Sequence, residues 1–130
     1  FDKAQSLIGE LENVKDLLTV IPDKTTISQK GDDAIKVVVA NMEEEPISIS
    51  ITANSADQDL NCGFLEGKDV VSTKGPYTIK SGEQKDVALI IIDKNGPIRH
   101  TSCEISVIGD RQDDITVIVR VEKKSGGIFG

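Results

Sequence analysis

Aromatic side chains are scarce in this sequence: no tryptophan, one tyrosine and three phenylalanines in 130 residues. Histidine occurs once, at His100, and cysteine only twice, at Cys62 and Cys103. A single imidazole and the lack of any Gly-x-Ser-x-Gly leave little for nucleophilic or acid–base catalysis, so the chain reads as a non-enzyme without a cofactor. Cations are also short, with 15 Lys and Arg against 22 Asp and Glu and a net charge of −7. Binding to a phosphate backbone needs clustered Lys and Arg, which excludes nucleic acid as a partner. No apolar run approaches the length of a membrane-spanning helix, so membrane contact would come only through a segment outside this chain. No signal peptide is present and the first residue is Phe1, as expected of a mature or trimmed form that has lost any targeting segment. Asn-x-Ser/Thr and Gly-rich phosphate loops are absent as well.

What is abundant is β-branched. There are 17 Ile and 12 Val but 7 Leu, and four of the leucines fall within the first 18 residues. Branched side chains fit a pleated sheet and are mildly penalised in helices, so the chain beyond about residue 24 should be mostly strand. The first 21 residues have a different rhythm. Ala4, Leu7, Ile8, Leu11, Val14, Leu17 and Leu18 recur at spacings of three and four, which predicts an amphipathic helix over residues 1–21 that Pro22 terminates. Its stripe has two readings. It packs on the domain's own sheet, or its near-heptad register (Ala4, Leu7 or Ile8, Leu11, Val14, Leu18) packs against copies of itself.

Residues 22–122 predict an antiparallel immunoglobulin-like β-sandwich of seven to nine strands, followed by a flexible tail over 123–130. Short strands are expected at Thr25–Ser28, Ile35–Ala40, Leu60–Leu65 and Val70–Ser72. Ile47-Ser-Ile-Ser-Ile-Thr-Ala53 alternates, with Ile47, Ile49, Ile51 and Ala53 inward. Gly75-Pro76 reads as a break. Val87-Ala-Leu-Ile-Ile-Ile92 is apolar on both faces, as a central strand covered on both sides would be. Asn95-Gly96 predicts a hairpin into Thr101–Ile108, and Ile115–Glu122 closes the sheet. Ile90, Ile92 and Ile118 fall out of phase with the core faces, so a second layer has to cover them, either the N-terminal helix or a partner subunit.

Two cysteines on separate strands without a C-x-x-C favour a Cys62–Cys103 disulfide over a metal site, and hence an oxidising compartment. Two thiols would give zinc only half its ligands. His100 lies three residues from Cys103 and so on the opposite face of a strand, which argues against a catalytic pair. The acidic groups Asp32-Asp33, Glu43–Glu45, Asp57 with Asp59, and Asp110 with Asp113-Asp114 all fall in expected turns, where solvated turn chemistry accounts for them. No twelve-residue calcium loop is present, so no metal is expected. Asp110, Asp113 and Asp114 are the first choice should calcium bind.

The passage Tyr77-Thr-Ile-Lys-Ser-Gly-Glu-Gln-Lys-Asp-Val-Ala-Leu-Ile-Ile-Ile92 resembles immunoglobulin-like adhesion modules of prokaryotic surface proteins, where a strand, a Ser-Gly-Glu-like turn and a long apolar strand recur. Val20-Ile-Pro-Asp-Lys-Thr-Thr-Ile-Ser-Gln-Lys-Gly31 and Ile35–Asn41 look like the opening of the same modules, and the similar portion covers about residues 20 to 122. A heptad-like helix running into such a sandwich is similar to archaeal type IV pilins and archaellum-related proteins. In that family the helix packs in the filament core and the sandwich faces outward. The resemblance implies that Ala4, Leu7, Ile8, Leu11, Val14 and Leu18 form an assembly interface. It also implies an apolar segment of roughly 20 residues with a processing site, which this sequence lacks.

The expectation is therefore a non-enzymatic, extracellular or cell-surface subunit or accessory of a filament, with copies of itself or other surface proteins as partners. The alternatives are a monomeric binding module of a larger envelope protein and a calcium-dependent adhesion domain.

Overall fold

The structure is a computed structural model in which residues 3–4 and 14–124 are described. Among them ten strands follow one another: β1 (Leu18–Ile21), β2 (Lys24–Ser28), β3 (Asp32–Ala40), β4 (Ile47–Ser55), β5 (Leu60–Glu66), β6 (Asp69–Val71), β7 (Thr73–Ile79), β8 (Gln84–Asp93), β9 (Arg99–Gly109) and β10 (Asp113–Glu122). They form two five-stranded sheets. Sheet I has the order β1-β3-β8-β5-β6 and sheet II the order β2-β10-β9-β4-β7. Every pairing among these strands is antiparallel except that of β2 with β10, which is parallel.

The core follows from period-two alternation. Ile35, Val37 and Val39 of β3, Val87, Leu89 and Ile91 of β8, and Leu60, Cys62 and Phe64 of β5 point from sheet I into the sandwich. Ile49, Ile51 and Ala53 of β4, Cys103, Ile105 and Val107 of β9, and Val117, Val119 and Val121 of β10 meet them from sheet II. A contiguous, close-packed apolar layer of this kind is the main favourable term in folding. The outer face of sheet II is solvated, with Ser48, Asn54, Glu104, Thr116 and Arg120 exposed. Sheet I differs, because Ala34, Lys36, Val38, Ala88, Ile90 and Leu65 on its outer face are buried too. Ala4 lies fully buried against Ala34, Leu65, Ala88 and Ile90, with Val70 and Ile92 at the margin. The run over residues 87–92 is thus covered on both sides, as its unbroken hydrophobicity requires. Ile118, on the outer face of sheet II, stays 48% exposed.

Several expectations change. The sandwich has ten strands rather than seven to nine. The helix expected over 1–21 does not reach its predicted end, because Leu18–Ile21 is β1, paired with Val39–Lys36 of β3. Leu18 and Val20 point into the core with Thr19 between them, so two-residue alternation overrides the helical spacing there. Lys3 and Ala4 have helical backbone, Val14–Leu17 does not, and Leu7, Ile8 and Leu11 lie outside the described residues. Pro22 ends a strand instead of a helix. It stands where the chain leaves sheet I as β1 and joins sheet II as β2.

Gly75-Pro76 is no break but an irregularity inside edge strand β7, where the register against β4 shifts between Ile49 and Ile51. Gly75 has φ +116°, and a Cβ there would come within 3.1 Å of the Ile49 carbonyl. Asn95-Gly96 does not make a hairpin, since β8 lies in sheet I and β9 in sheet II. Both edges of β8 are already taken by β3 and β5, so β9 has no place beside it. Of the expected tail, Lys123 and Lys124 are exposed, and 125–130 lie outside the described residues.

Candidate binding surfaces

The two ends of the sandwich carry the polar chemistry. One end, the tip, gathers residues 41–46 between β3 and β4, the turn at 80–83 before β8, and the turn at 110–112 before β10. Asn41 is the keystone. It is buried, its amide donates to the carbonyls of Glu45 (2.8 Å) and Ile79 (2.9 Å), and its Oδ1 accepts the N–H of Glu43 (2.8 Å). That last bond is an Asx-turn, the local motif that lets Asn shape a chain reversal. Its backbone bonds to Glu83 and Gly82 tie the turn at 80–83 to the same post. Asp110 Oδ2 accepts the N–H of Ser48, and Arg111 pairs with Glu43 at 2.7 Å.

Met42, 56% exposed, and Glu43, Glu44 and Glu45 therefore stand out from a fixed frame, around an open hollow of about 620 Å³. The sequence shows Asn41–Pro46 as a turn. What it does not show is that Asp110, Arg111 and Glu83 come from distant segments to the same tip.

At the other end, the base, Arg99 holds three segments together. Its guanidinium donates twice to the Asp57 carboxylate, Nε at 3.0 Å and Nη2 at 3.2 Å, and Nη2 also reaches Asp93 Oδ1 at 3.1 Å. Asp57 accepts the Thr101 hydroxyl as well, and Asp93, buried, accepts the N–H groups of Lys30 and Gly96. Bidentate Arg–carboxylate geometry makes the Arg99–Asp57 contact a strong, directional one. The Arg99 hydrogen bond, with Thr101 adding to it against partial burial, draws the Asp57 carboxyl down to about 2. Burial opposes ionisation of Asp93, but the N–H of Lys30, the Arg99 guanidinium and the N–H of Gly96 outweigh it and hold that carboxyl below its usual range.

A pH dependence follows. Asp57 has a folded-state value near 2 against an ordinary 3.8, so its stabilisation is complete above about pH 5 and is lost as the pH falls toward 2. Its side chain is 32% exposed, so screening trims the effect to about 1–2 kcal/mol. Denaturant midpoints compared at about pH 6 and about pH 2.5 should show this loss. The loss should shrink in Arg99→Met, and an equal slope in the two proteins would refute the assignment.

The residues singled out from sequence are dispersed. Cys62 and Cys103 form a disulfide between β5 and β9, with Cα atoms 6.0 Å apart, and it joins the two sheets through the core. His100 lies exposed on the outer face of sheet II while Cys103 faces inward, so the pair does not meet. Of the expected assembly interface, Ala4 and Leu18 are buried inside their own domain, one on each side of sheet I, and are not available to a neighbour. Val14 is half-buried beside Ala40 and Gln84. Asp110, Asp113 and Asp114 do not converge: Asp110 serves Ser48, and Asp113 accepts the N–H of Asp114. Among the described residues no three His, Cys, Asp or Glu side chains group as metal ligands.

A second surface was only half visible in sequence. On the base half of sheet II's outer face, Lys24, Thr26, His100 and Arg120 surround Ile118 in a shallow groove of about 400 Å³. The register puts Lys24 beside Ile118, and Arg120 between Thr26 and His100. Ile118 being out of phase was the one sequence signal for it.

No protein-family model matches the chain, and no curated protein matches it in sequence. Solved structures share the fold. A family 123 glycoside hydrolase from Clostridium perfringens aligns with a TM-score of 0.56 at 9% identity over 78% of this chain, which is 23% of the hydrolase. Domains 4 and 5 of the S-layer protein SbsC give 0.54 at 10% identity, covering 83% of this chain and 52% of that one. WR4, an MSP family member from C. elegans, gives 0.50 at 10% identity over 85% of this chain and its own entire length. At these identities the likeness is one of fold, an immunoglobulin-like sandwich.

Proposed function

We propose that the chain is a non-enzymatic structural module of a prokaryotic cell-surface assembly, and more specifically a pilin-like subunit or accessory of a surface filament. The Cys62–Cys103 bridge carries this reading. It sits in the middle of the core and joins the two sheets, and bonds of this kind form and persist in oxidising compartments. A fold also found in domains of an S-layer protein is in keeping with such a place. The burial of Ala4 and Leu18 within the domain favours one refinement: contacts run through the loops and outer faces of the sandwich, and not through those two stripe positions. The same burial favours, as a second reading, a self-contained partner-binding module of a larger envelope protein.

The test is made on intact cells of the source organism with an antibody to the sandwich. A filament subunit should be released by shearing, be digested by added protease, and resist thiol labelling until reduced. An antigen that stays with the cell envelope after shearing, yet is cut by protease, selects the envelope module. An antigen confined to the cytosol with two reactive thiols overturns both readings.

A further inference from the structure

The domain's two exposed surfaces complement each other in charge and lie at opposite ends. The tip presents Glu43, Glu44 and Glu45 around exposed Met42, with Asp16, Glu83 and Asp110 beside them, against three cations, Lys15, Lys80 and the Arg111 that pairs with Glu43. The groove on the base half of sheet II presents Lys24, His100 and Arg120 around exposed Ile118, in a chain whose net charge is −7. Its neighbouring acids are Asp23, next to Lys24, Glu104 farther along the same face, and Glu122, which lies 3.4 Å from Arg120 in a pair in which both side chains are about half exposed. Such a pair contributes little and is readily exchanged for another carboxylate. Each surface also leaves one large apolar side chain in water, Met42 at 56% and Ile118 at 48% exposure.

We propose that the acidic tip of one copy, with Met42 at its centre, seats on the Lys24–His100–Ile118–Arg120 groove of a second copy. Charge complementarity sets the orientation, and burial of Met42 against Ile118 supplies apolar contact. Because the two patches lie at opposite ends and on different surfaces, the contact is heterologous. It leaves a free tip and a free groove at every step, so it propagates head to tail beyond a dimer, as an open row or, where its rotation closes, a ring. The contact is small and charged, so it is weak between free chains, and it becomes effective where copies are already held close together. This deepens the proposed surface role by naming the partner as the chain itself, and the two fail separately. Localisation is read in cells, whereas association is read on the purified chain.

The experiment measures weight-average mass against concentration, up to about 1 mM, by light scattering and sedimentation, at about 20 mM and about 500 mM salt. Wild type should grow past twice the monomer mass at low salt, with association at least about tenfold weaker at high salt. Glu44→Lys/Glu45→Lys reverses the tip, and Lys24→Glu/Arg120→Glu reverses the groove. All four positions are exposed, so both variants should keep the wild-type thermal midpoint within a few degrees. Each variant alone should be monomeric. In their equimolar mixture the unaltered groove of the tip variant takes the unaltered tip of the groove variant, and growth past a dimer requires the reversed tip to take the reversed groove as well. A wild type that stays monomeric, one that stops at a dimer, association that survives either reversal, or a mixture that fails to recover would each overturn the proposal.

Discussion

Opening the Cys62–Cys103 bridge should cost the domain about 4 kcal/mol. The bridge closes a loop with a sequence separation of 41 residues, and the chain-entropy relation converts that length into roughly this value. Most of the effect lies in the unfolded chain, which regains freedom that the cross-link denies it. Native contacts change little, since both sulfurs sit in a close-packed core. Denaturant titration of the oxidised chain, the reduced chain and Cys62→Ala/Cys103→Ala should rank them in that order, the last losing roughly another kcal/mol to small cavities. Domains of this size are stable by only about 5–15 kcal/mol, so such a loss brings the reduced form near its threshold. Mass measurement of the untreated chain should read two hydrogens below the reduced one. Coincident titration curves with and without reductant would remove the energetic role, and two titratable thiols would remove the compartment argument with it.

The second large effect concerns the outer face of sheet I. Ile90 is fully buried there against Ala4, Ala34, Leu65 and Ala88. Ile90→Asp exchanges a buried branched side chain for a carboxylate without a partner. The lost apolar burial, with either an unpaired charge or a forced protonation, should destabilise the isolated chain by at least about 4 kcal/mol. Thr116→Lys, on the solvated face of sheet II and directly opposite Glu104, is the control and should shift stability by no more than about 1 kcal/mol. A contact that forms only between subunits would behave otherwise, because its disruption would spare the monomer and abolish assembly. An unchanged monomer midpoint in Ile90→Asp would therefore return the outer face of sheet I to intermolecular use.

The sheets were legible in sequence where one rule acted alone. Ile47-Ser-Ile-Ser-Ile-Thr-Ala53 alternates without interruption and is β4, and the two-sided run at 87–92 is the middle strand of sheet I with cover on both faces. Misreading arose where a local pattern had two physical solutions. Leu17-Leu-Thr-Val-Ile21 satisfies both helical spacing and strand alternation. A β3 edge awaiting a partner decides between them, and that edge exists only in three dimensions. Asn95-Gly96 reverses the chain as expected, but whether the reversal stays within a sheet depends on occupancy of the β8 edges. The paired cysteines were readable because spacing and strand phase pointed the same way. The tip and the groove were not, because Glu43, Glu83 and Asp110, or Lys24, His100 and Ile118, are brought together only by the order of the strands.

The parallel pairing of β2 with β10 has a mechanical consequence. Tension applied ahead of β2 and beyond Glu122 draws β2 and β10 in opposite directions along their shared axis. The five facing residues from Lys24 to Ser28 and from Ile118 to Glu122 are then loaded together in shear. An antiparallel terminal pair pulled from one end would instead unzip, its hydrogen bonds breaking in succession. Should the shear clasp yield, the Cys62–Cys103 bond withholds the segment between β5 and β9 from extension, so the domain can lengthen only by the chain outside that loop. A sandwich wired in this way resists load applied through the two ends of its chain.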